Sequence, residues 1–395
     1  MNFELPEDLR MMRETAARFT QKELIPHEPI AIRREAERGF NDTPLLPPEL
    51  EAELVAKARA AGLAGIEVPE EYGGPGLGAL AKCVVVEQLK RSILFPFGFP
   101  PNFPDVYMLK ETCKGAQIDK YLVPFLHGEK KQCIAITEPG AGSDAAGIKM
   151  RAERKNGKWV LNGNKIYITG ARQADFMIVV TLTDPAKGSK GGMTTFLVDA
   201  GTPGVTIPSV YPMIGEYAPY AVHFDDVEVD DGQVLGEVGQ AFAPLQLRLG
   251  VRRMEIAATC IGLASRCLEM MIAQANSRST FGVRLADRQA VQWWIADSYQ
   301  EIEMCRLATY RLAWQLEQTS YDIRRDASMV KVQASEMVAR VVDRAIQLFG
   351  GMGLSKELPL EFISRVVRIY RIVEGPSEIH RWVIARDLLK NGLPR

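Results

Sequence analysis

A carboxylate follows an apolar pair and precedes a Gly-Pro step near the end of the chain, in the segment Ile372-Val373-Glu374-Gly375-Pro376. A glutamate at such a junction of two helical segments can act as a general base. The local alternative is a surface glutamate that pairs with Arg371, three residues earlier. The segment by itself favours the surface pair, so Glu374 needs support from the rest of the chain.

Two segments in the middle of the chain could contact a phosphate or a planar ring. The first, Ile136-Thr-Glu-Pro-Gly-Ala-Gly-Ser-Asp144, has small residues that leave main-chain N–H groups accessible. It lacks the GxGxxG pattern and the βαβ context of a dinucleotide fold, and a plain surface turn is the alternative. The second, Tyr167-Ile168-Thr169, combines an aromatic ring with a hydroxyl. An ordinary half-buried strand would look the same.

Two further segments in the last third of the chain have residues suited to a nucleotide. Arg278-Ser-Thr-Phe-Gly282 offers a guanidinium for a phosphate and a phenyl ring for stacking, with Gln289 downstream. A helix end capped by glycine, with arginine on the helix dipole, explains the same residues. Gln347-Leu-Phe-Gly350-Gly351-Met-Gly353 allows either close approach of a ligand or a tight turn.

The chain has three regions that differ in hydrophobic periodicity, and the elements they predict would position these segments. Residues 1–130 have helical periodicity, for example Leu9, Met12, Ala16 and Phe19, and a second helical segment, 48–61, stops before Gly62. The segment 95–104 contains four prolines and cannot be continuous helix.

Residues 131–240 have the pattern of short strands. Asn156-Gly157 and Asn162-Gly163 flank Trp159–Leu161 and predict tight hairpin turns. Further strands are predicted at 166–169, 176–181, 194–198, 221–224 and 227–229. Such spacing favours an antiparallel barrel or sandwich over a parallel βαβ sheet.

Residues 241–395 return to helical periodicity, with long segments at 251–275, 287–317 and 326–349 and a stop at Gly350-Gly351. These segments predict a helical bundle. The fold class is therefore α+β, with a helical domain (1–130), a central β domain (131–240) and a C-terminal bundle (241–395).

Composition excludes several classes of function. The formal net charge is −1, from 48 basic and 49 acidic residues, which gives no basic footprint for nucleic acid or anionic membrane. Six cysteines without a CxxC pair and four scattered histidines indicate no metal site and reduced core thiols. The acidic N-terminus lacks a signal peptide pattern, and no long apolar run stands out, so we expect a cytoplasmic protein.

Together and in this order, the segments resemble the acyl-CoA dehydrogenase family, from Pro69-Glu-Glu-Tyr-Gly-Gly74 to Ile384-Ala-Arg386. The resemblance implies a helical N-terminal domain, a central β domain and a C-terminal four-helix bundle, as the textures also indicate. It further implies FAD as cofactor, an acyl-CoA substrate, an electron-transferring flavoprotein as acceptor, and a homotetramer built as a dimer of dimers.

The resemblance also assigns residues to the cofactor. Thr137 would reach the flavin ring, and Ser143 the FAD phosphates or the CoA thioester region. Tyr167 stands where the family usually has tryptophan beside the flavin, and Thr169 corresponds to the hydroxyl that bonds flavin N5. The other residues assigned near this part of FAD are Ile134, Ile136, Gly142, Ile168, Pro376 and Glu378. The ADP part would be held across a subunit interface by Arg278, Thr280, Phe281, Gln289, Gln347, Leu348, Gly350 and Gly351.

Glu374 aligns with the glutamate base of the medium- and short-chain branch, and Arg253 with the buried arginine near it. In the isovaleryl and long-chain branches the base directly precedes that arginine, where this sequence has Arg252, and Glu255 does not match the position either. The expected chemistry is removal of a Cα proton by Glu374 and transfer of a Cβ hydride to FAD, with the Glu374 N–H stabilising the thioester oxygen. The residues assigned to substrate are Ser143, Gly250, Arg253, Val373, Gly375 and Arg386.

Several positions depart from the family pattern. Pro376 replaces a threonine, and Glu378 replaces a glutamine. Val373 replaces a pocket tyrosine and would widen the acyl channel, and the segment 95–104 would shape the same pocket. These changes suggest a bulky or cyclic acyl group. Two other interpretations are a related acyl-CoA flavoenzyme with a different electron fate (an oxidase using O₂ or a non-oxidative lyase), and a helical scaffold without chemistry, which Glu374 and Arg253 disfavour.

Overall fold

The structure is a computed structural model that describes residues 4–94, 103–215, 218–318 and 322–393 of the chain. Its first helix, α1 (Glu7–Phe19), begins after Pro6 with acidic residues in the first turn, where they complement the helix dipole. The other N-terminal helices are α2 (Glu28–Glu37), α3 (Pro48–Ala60), α4 (Gly78–Leu89), α5 (Phe103–Thr112) and α6 (Val123–Leu126).

The proline-rich segment at 95–104 falls mostly outside the described residues, which resume at residue 103. Helix α5 begins there, and Asp105 in its first turn is fully buried. The prediction that 95–104 shapes a pocket therefore concerns residues whose structure is not described before α5.

The central domain is a sheet of β1 (Gln132–Ala135), β2 (Arg151–Lys155), β3 (Lys158–Thr169), β4 (Phe176–Leu182), β5 (Met193–Asp199), β6 (Val205–Thr206), β7 (Pro219–Val229) and β8 (Val234–Leu235). The strand order is β6-β7-β3-β2-β4-β5-β8, and β1 pairs with β4. Most neighbours are antiparallel, but β1 and β4 are parallel, so the sheet is mixed. The predicted fold class, helical domains on either side of a central sheet domain, is confirmed.

The two predicted hairpin turns had different outcomes. Asn156 and Gly157 have φ values of 52° and 82° and join β2 to β3, as predicted. The prediction of a turn at Asn162-Gly163 was wrong, because β3 continues through both residues. The pairing of β3 with β7 shifts register there, and a Cβ on Gly163 would lie 2.7 Å from Met150 Cγ. Glycine at this point therefore accommodates a bulge and close packing.

The C-terminal part contains α7 (Phe242–Ser277), β9 (Ser279–Thr280), β10 (Val283–Arg284), α8 (Gln289–Leu316), α9 (Arg324–Phe349), α10 (Pro359–Tyr370) and α11 (Ser377–Asn391). Helix α9 ends at Gly350, whose φ of 63° suits a glycine after a helix. Helices α1 to α4 and the bundle share one hydrophobic core, α5 and α6 pack mainly against one face of the sheet, and the other face of the sheet has a separate core.

Helix α7 is the central element of the bundle. One stretch of it is long and apolar enough to cross a membrane by length and composition alone, although no such run was expected from the sequence. In the structure 67% of that stretch is buried within the protein, and it packs against α4, α8 and α9. The apolar character of α7 is thus explained by its place in the core. The six cysteines are also buried and form no disulfide.

Candidate active site

Glu374 lies in the short loop between α10 and α11, in an unusual main-chain conformation. Its φ is 55°, and that of Gly375 is 99°. A left-handed conformation costs a residue with a Cβ about 1–2 kcal/mol, so the surrounding structure must hold it in place. Pro376 then starts α11 from its N-cap position. Main-chain strain held at a carboxylate is typical of functional sites.

Three cationic or polar side chains hold this loop by its main-chain carbonyls. Arg253 Nε lies 3.1 Å from the Glu374 carbonyl oxygen, and His380 Nε2 lies 3.2 Å from the same atom. Lys331 Nζ donates to the Gly375 carbonyl oxygen at 2.6 Å. The prediction that Arg253 would lie near Glu374 agrees with this contact. The carboxylate of Glu374 makes none of these three bonds, which therefore do not require its charge.

Burial changes the protonation of the groups around the loop. It lowers the pKa of His380 to about 3, so this fully buried ring is neutral at pH 7. The neutral ring must then carry its proton on Nε2 to donate to the Glu374 carbonyl, and Nδ1 lies 3.1 Å from Ser328 Oγ. Burial also lowers the pKa of Lys331 to about 8 and that of Arg253 to about 10, which leaves both mainly charged at pH 7.

The carboxylate of Glu374 faces a buried arginine that the sequence did not reveal. Arg248 Nη1, on α7, lies 3.5 Å from Glu374 Oε2. The same guanidinium donates from Nε to Asp105 Oδ1 at 2.7 Å, and Gln132 Nε2 of β1 donates to Asp105 Oδ2. A chain of polar contacts therefore runs from the sheet through α5 and α7 to the carboxylate.

The surface pair considered for Glu374 does not form. Arg371 Nη2 instead lies 3.9 Å from Glu336 Oε1. Arg248 and Asp105 are distant from Glu374 in sequence and have no local signal, which is why sequence reasoning missed them. The sequence signal that could have indicated Arg248 is its position in the same predicted helical region as Arg253, five residues earlier.

The alternative base position on α7 is occupied by an ion pair. Arg252 Nη1 lies 2.5 Å from Glu255 Oε2. Burial raises the pKa of Glu255, but the charges of Arg252 and Lys82 outweigh it and the net direction is downward. Glu255 is therefore held as a carboxylate by its own partner, apart from the Glu374 loop.

The Gly-rich segment, residues 136–144, is held against β3 by hydrogen bonds. The Ile166 N–H donates to the Thr137 carbonyl at 2.9 Å. Lys165 Nζ donates to the Ile136 carbonyl at 2.9 Å and to Glu138 Oε1 at 2.8 Å, and burial lowers the pKa of Lys165 to about 8. This buried pair was not found from the sequence. It fixes the segment so that Thr137 lies beside β3.

The tip of this segment is open. A Cβ on Gly140 or Gly142 would have no neighbour within 4 Å, and Ser143 is exposed. Main-chain N–H groups can therefore be approached here by a ligand, as the small residues predicted. Ile134 and Ile136 are half-buried between the sheet and the first turns of α7.

On β3, the side chains of Tyr167 and Thr169 are both exposed. Tyr167 has a φ of 58° and is 52% exposed, and its ring lies 4.9 Å from that of Tyr211. Ile168 points the other way into the core of the sheet, so only its main chain can reach a ligand. The exposed side chains of Tyr167 and Thr169 offer a ring and hydroxyl groups that suit the edge of a planar flavin.

A second group of predicted cofactor residues lies at the far end of α7. Arg278 follows α7, and β9 and β10 form a hairpin whose turn, Phe281-Gly282, has φ values of 52° and 74°. Phe281 is 98% exposed at the tip. Arg288 Nη2 donates to the Thr280 carbonyl at 2.5 Å and stabilises the hairpin from behind.

The end of α9 lies beside this hairpin. Helices α8 and α9 are antiparallel neighbours, as the contact of Arg344 Nη2 with Glu301 Oε1 at 2.9 Å shows, so the start of α8 and the end of α9 meet. Gln289 begins α8, and the exposed residues at the end of α9 are Gln347, Gly350 and Gly351, whereas Leu348 packs in the core.

The two groups are far apart within one chain. Arg253 and Arg278 are separated by 25 residues, which corresponds to about 37 Å along an α-helix. The predicted cofactor residues therefore form one group near Glu374 and another at the opposite end of the bundle.

The remaining predicted substrate residues are divided. Gly250 is buried on α7, and Val373 is half-buried against the bundle core beside Glu374. A Cβ on Gly375 would lie 2.9 Å from His380 Nε2, so glycine permits this close approach. Arg386 instead lies on the exposed side of α11 with its guanidinium 5.1 Å from the Trp382 ring, and Glu378 is exposed in the first turn. The structure does not bring Arg386 to Glu374. Within the described part of the chain, no group of three or more His, Cys, Asp or Glu side chains could hold a metal ion.

Comparison with family models decides the relationship. The N-terminal, middle and C-terminal domain models of acyl-CoA dehydrogenase match residues 6–129, 133–227 and 242–389. The chain belongs to the acyl-CoA dehydrogenase family. It is an oxidoreductase of that family, and the family is FAD-dependent.

Similar proteins cover the chain from end to end. (R)-Benzylsuccinyl-CoA dehydrogenase of Thauera aromatica is 47% identical over 397 residues, covering 99% of this chain and 98% of that protein. The structure of glutaryl-coenzyme A dehydrogenase in complex with glutaryl-CoA has a TM-score of 0.88 and 30% identity, covering 100% of this chain and 98% of that one. A chain from the structure described as the electron transferring flavoprotein of Acidaminococcus fermentans has a TM-score of 0.86 and 29% identity, covering 99% and 100%.

Proposed function

We propose that this acyl-CoA dehydrogenase oxidises a benzylsuccinyl-type CoA thioester between Cα and Cβ. The observation that carries the proposal is the 47% identity to (R)-benzylsuccinyl-CoA dehydrogenase over nearly the whole of both chains. Half-buried Val373 beside Glu374 supports it, because valine leaves room for a ring where a tyrosine would fill the pocket. A benzylsuccinyl group is bulky, carries a ring and has a second carboxylate.

Glu374 is the proposed base that removes the Cα proton. Its loop is fixed by Arg253, His380 and Lys331 through main-chain carbonyls, which leaves the carboxylate available for proton transfer. A positioned general base contributes about 10²–10⁴-fold to the rate. The Glu374 N–H would donate to the thioester carbonyl and stabilise the charge that develops on it. FAD, when bound, supplies the redox chemistry by accepting the Cβ hydride.

The chain's own residues suit FAD in two places. Near Glu374, the main chain of the open Gly140–Ser143 segment and the hydroxyls of Thr137 and Thr169 would hold the flavin, with Tyr167 beside it. The group around Arg278 would bind the ADP part. Since the two groups are separated by about 37 Å along α7, more than an extended FAD molecule spans, one chain cannot supply both to one cofactor.

A second copy of the chain would therefore complete each FAD site. The fully exposed Phe281 at a hairpin tip is available for such a contact, and aromatic residues are enriched at the interfaces between subunits. We propose a dimer as the smallest functional unit and a homotetramer, a dimer of dimers, as the full assembly.

For the electron acceptor we propose an electron-transferring flavoprotein. The similarity to a chain from a structure described by that name supports this partner. An oxidase would instead consume O₂ in proportion to substrate. Measurement of oxygen uptake during turnover without any added acceptor separates the two, and stoichiometric uptake would contradict the proposed acceptor.

The substrate proposal is tested with a panel of CoA thioesters and a dye acceptor. Benzylsuccinyl-CoA should give a higher kcat/KM than butyryl-CoA and glutaryl-CoA, which have no ring. If butyryl-CoA or glutaryl-CoA is preferred, the benzylsuccinyl assignment is wrong, although the reaction class is retained.

A further inference from the structure

The most unusual buried group near Glu374 is the Arg248–Asp105 pair. Arg248 is 5% exposed and Asp105 is fully buried. Burying two charges costs more than their attraction returns unless the geometry is good and other bonds are satisfied, and a hydrophobic pair is often as stable. Stability alone therefore gives no reason for a guanidinium at this point, whereas a function at the substrate would.

The two contacts of Arg248 differ in quality. Its Nε bonds Asp105 at 2.7 Å, which anchors one edge of the guanidinium. Its Nη1 lies 3.5 Å from Glu374 Oε2, which is at the outer limit of a hydrogen bond. A guanidinium has further N–H donors in a planar fork that matches a carboxylate. The side facing Glu374 is the side able to take a better ligand.

The charged groups around the loop carry a net positive charge. Arg248, Arg253 and Lys331 are cationic, and the acids that face them in these contacts are Asp105 and Glu374. The neighbouring charged groups add equal numbers of each sign, namely Arg324, Arg252, Glu378 and Glu255. His380 is neutral. Positive groups therefore outnumber negative ones by one, which favours the entry of a substrate carboxylate.

Distance selects which carboxylate can reach Arg248. The base must approach within about 3 Å of the substrate atom that carries the proton. In a succinyl thioester the second carboxylate carbon is two bonds from Cα, or about 2.5 Å. Because Arg248 lies 3.5 Å from the base, it is within reach of such a carboxylate while Cα faces Glu374. One more methylene, as in glutaryl-CoA, would place the carboxylate beyond this position.

On these grounds, and resting on the proposed function, we infer that Arg248, anchored by Asp105, binds the second carboxylate of a substituted succinyl-CoA. In doing so it exchanges the loose contact with Glu374 for a bidentate contact with the substrate. The base is thereby released towards Cα only when a succinyl-type substrate is present. Arg248 is thus a specificity-determining residue for this reaction.

The test compares a charged substrate with a neutral one of the same shape. One pair is benzylsuccinyl-CoA and the analogue in which the second carboxylate is a carboxamide. A second pair, methylsuccinyl-CoA and its carboxamide, lacks the ring. For each pair, the ratio of kcat/KM values is measured in the wild type, in Arg248→Lys and in the double variant Arg248→Gln/Asp105→Asn. The double variant avoids leaving Asp105 buried without a partner.

The wild type should prefer the charged member of each pair. Loss of a charge-assisted contact should lower this preference by about 10- to 150-fold in the double variant, and by less in Arg248→Lys. Arg252→Lys, one turn further along α7, is the matched control and should leave the ratio unchanged. A residue that only positions Glu374 would slow both members equally, so the ratio isolates the substrate contact.

Two outcomes would overturn the inference: no preference of the wild type for the charged member of either pair, or an unchanged ratio in the double variant. If benzylsuccinyl-CoA is not oxidised but the methylsuccinyl pair shows the expected preference and its loss, the inference stands and the proposed substrate is wrong.

Discussion

Replacing Glu374 by glutamine removes the proposed base and keeps nearly the same shape. The glutamine Oε1 can still accept from Arg248 Nη1, which now lies 3.5 Å from the carboxylate. The bonds from Arg253 and His380 go to the main-chain carbonyl and do not involve the side chain. The loop, the bound FAD and the affinity for acyl-CoA should therefore be retained.

The expected loss is confined to proton removal. Without a general base, the rate of flavin reduction should fall by at least about 10²–10⁴-fold. Glu374→Asp keeps the base but withdraws it by one methylene, or about 1.5 Å. A misplacement of that size costs about 10²-fold, so the aspartate variant should be slow but faster than the glutamine variant.

The assay is anaerobic stopped-flow measurement of flavin bleaching after mixing with benzylsuccinyl-CoA, with FAD content checked by absorbance. Glu255→Gln is the matched control, since Glu255 is the acid on α7 near the alternative base position and is already paired with Arg252. This variant should lower the unfolding temperature while reducing flavin at a rate of the same order as the wild type. Wild-type bleaching by Glu374→Gln, or its loss in Glu255→Gln instead, would refute Glu374 as the base.

Three further predictions concern the cofactor, the pocket and the loop. Arg278→Ala should weaken FAD binding by about 10- to 150-fold and loosen the oligomer; a fully loaded oligomer of unchanged size on gel filtration would contradict this. Val373→Tyr should lower kcat/KM for benzylsuccinyl-CoA relative to butyryl-CoA by about tenfold, because overpacking costs about 1–3 kcal/mol; an unchanged ratio would show that Val373 does not set selectivity. His380 has a pKa of about 3 in the folded protein, against about 6.5 in the unfolded chain, so between these values only the unfolded chain binds the proton. The free energy of unfolding therefore decreases by about 1.4 kcal/mol for each unit by which the pH is lowered. His380→Gln should therefore lose less thermal stability than the wild type between pH 7.5 and 5, and equal losses would show that His380 does not titrate in this way.

Local sequence was sufficient where neighbouring residues decide the conformation. The helix that contains Leu9 and Phe19, the turn at Asn156-Gly157 and the end of α9 at Gly350 were predicted and are present. Each depends on a side chain or a positive φ within a few residues. The order of helical, strand and helical textures gave the fold class for the same reason.

Local sequence failed where a distant strand decides. Asn162-Gly163 has the composition of a hairpin turn, yet β3 passes straight through it. The pairing with β7 and the close contact with Met150 outweigh the local preference. The parallel pairing of β1 with β4 was likewise set by packing rather than by turn residues.

The candidate site divides in the same way. The sequence by itself determined which segments carry chemistry, and placed Glu374, Arg253, the Gly-rich segment and Thr169 in a family pattern. Only the tertiary structure decided that Glu374 faces Arg248 and Asp105 instead of Arg371, since these residues come from different helices and meet only when the core closes. Burial is also a tertiary property, and it is burial that makes His380 neutral and removes the Arg248–Asp105 pair from solvent.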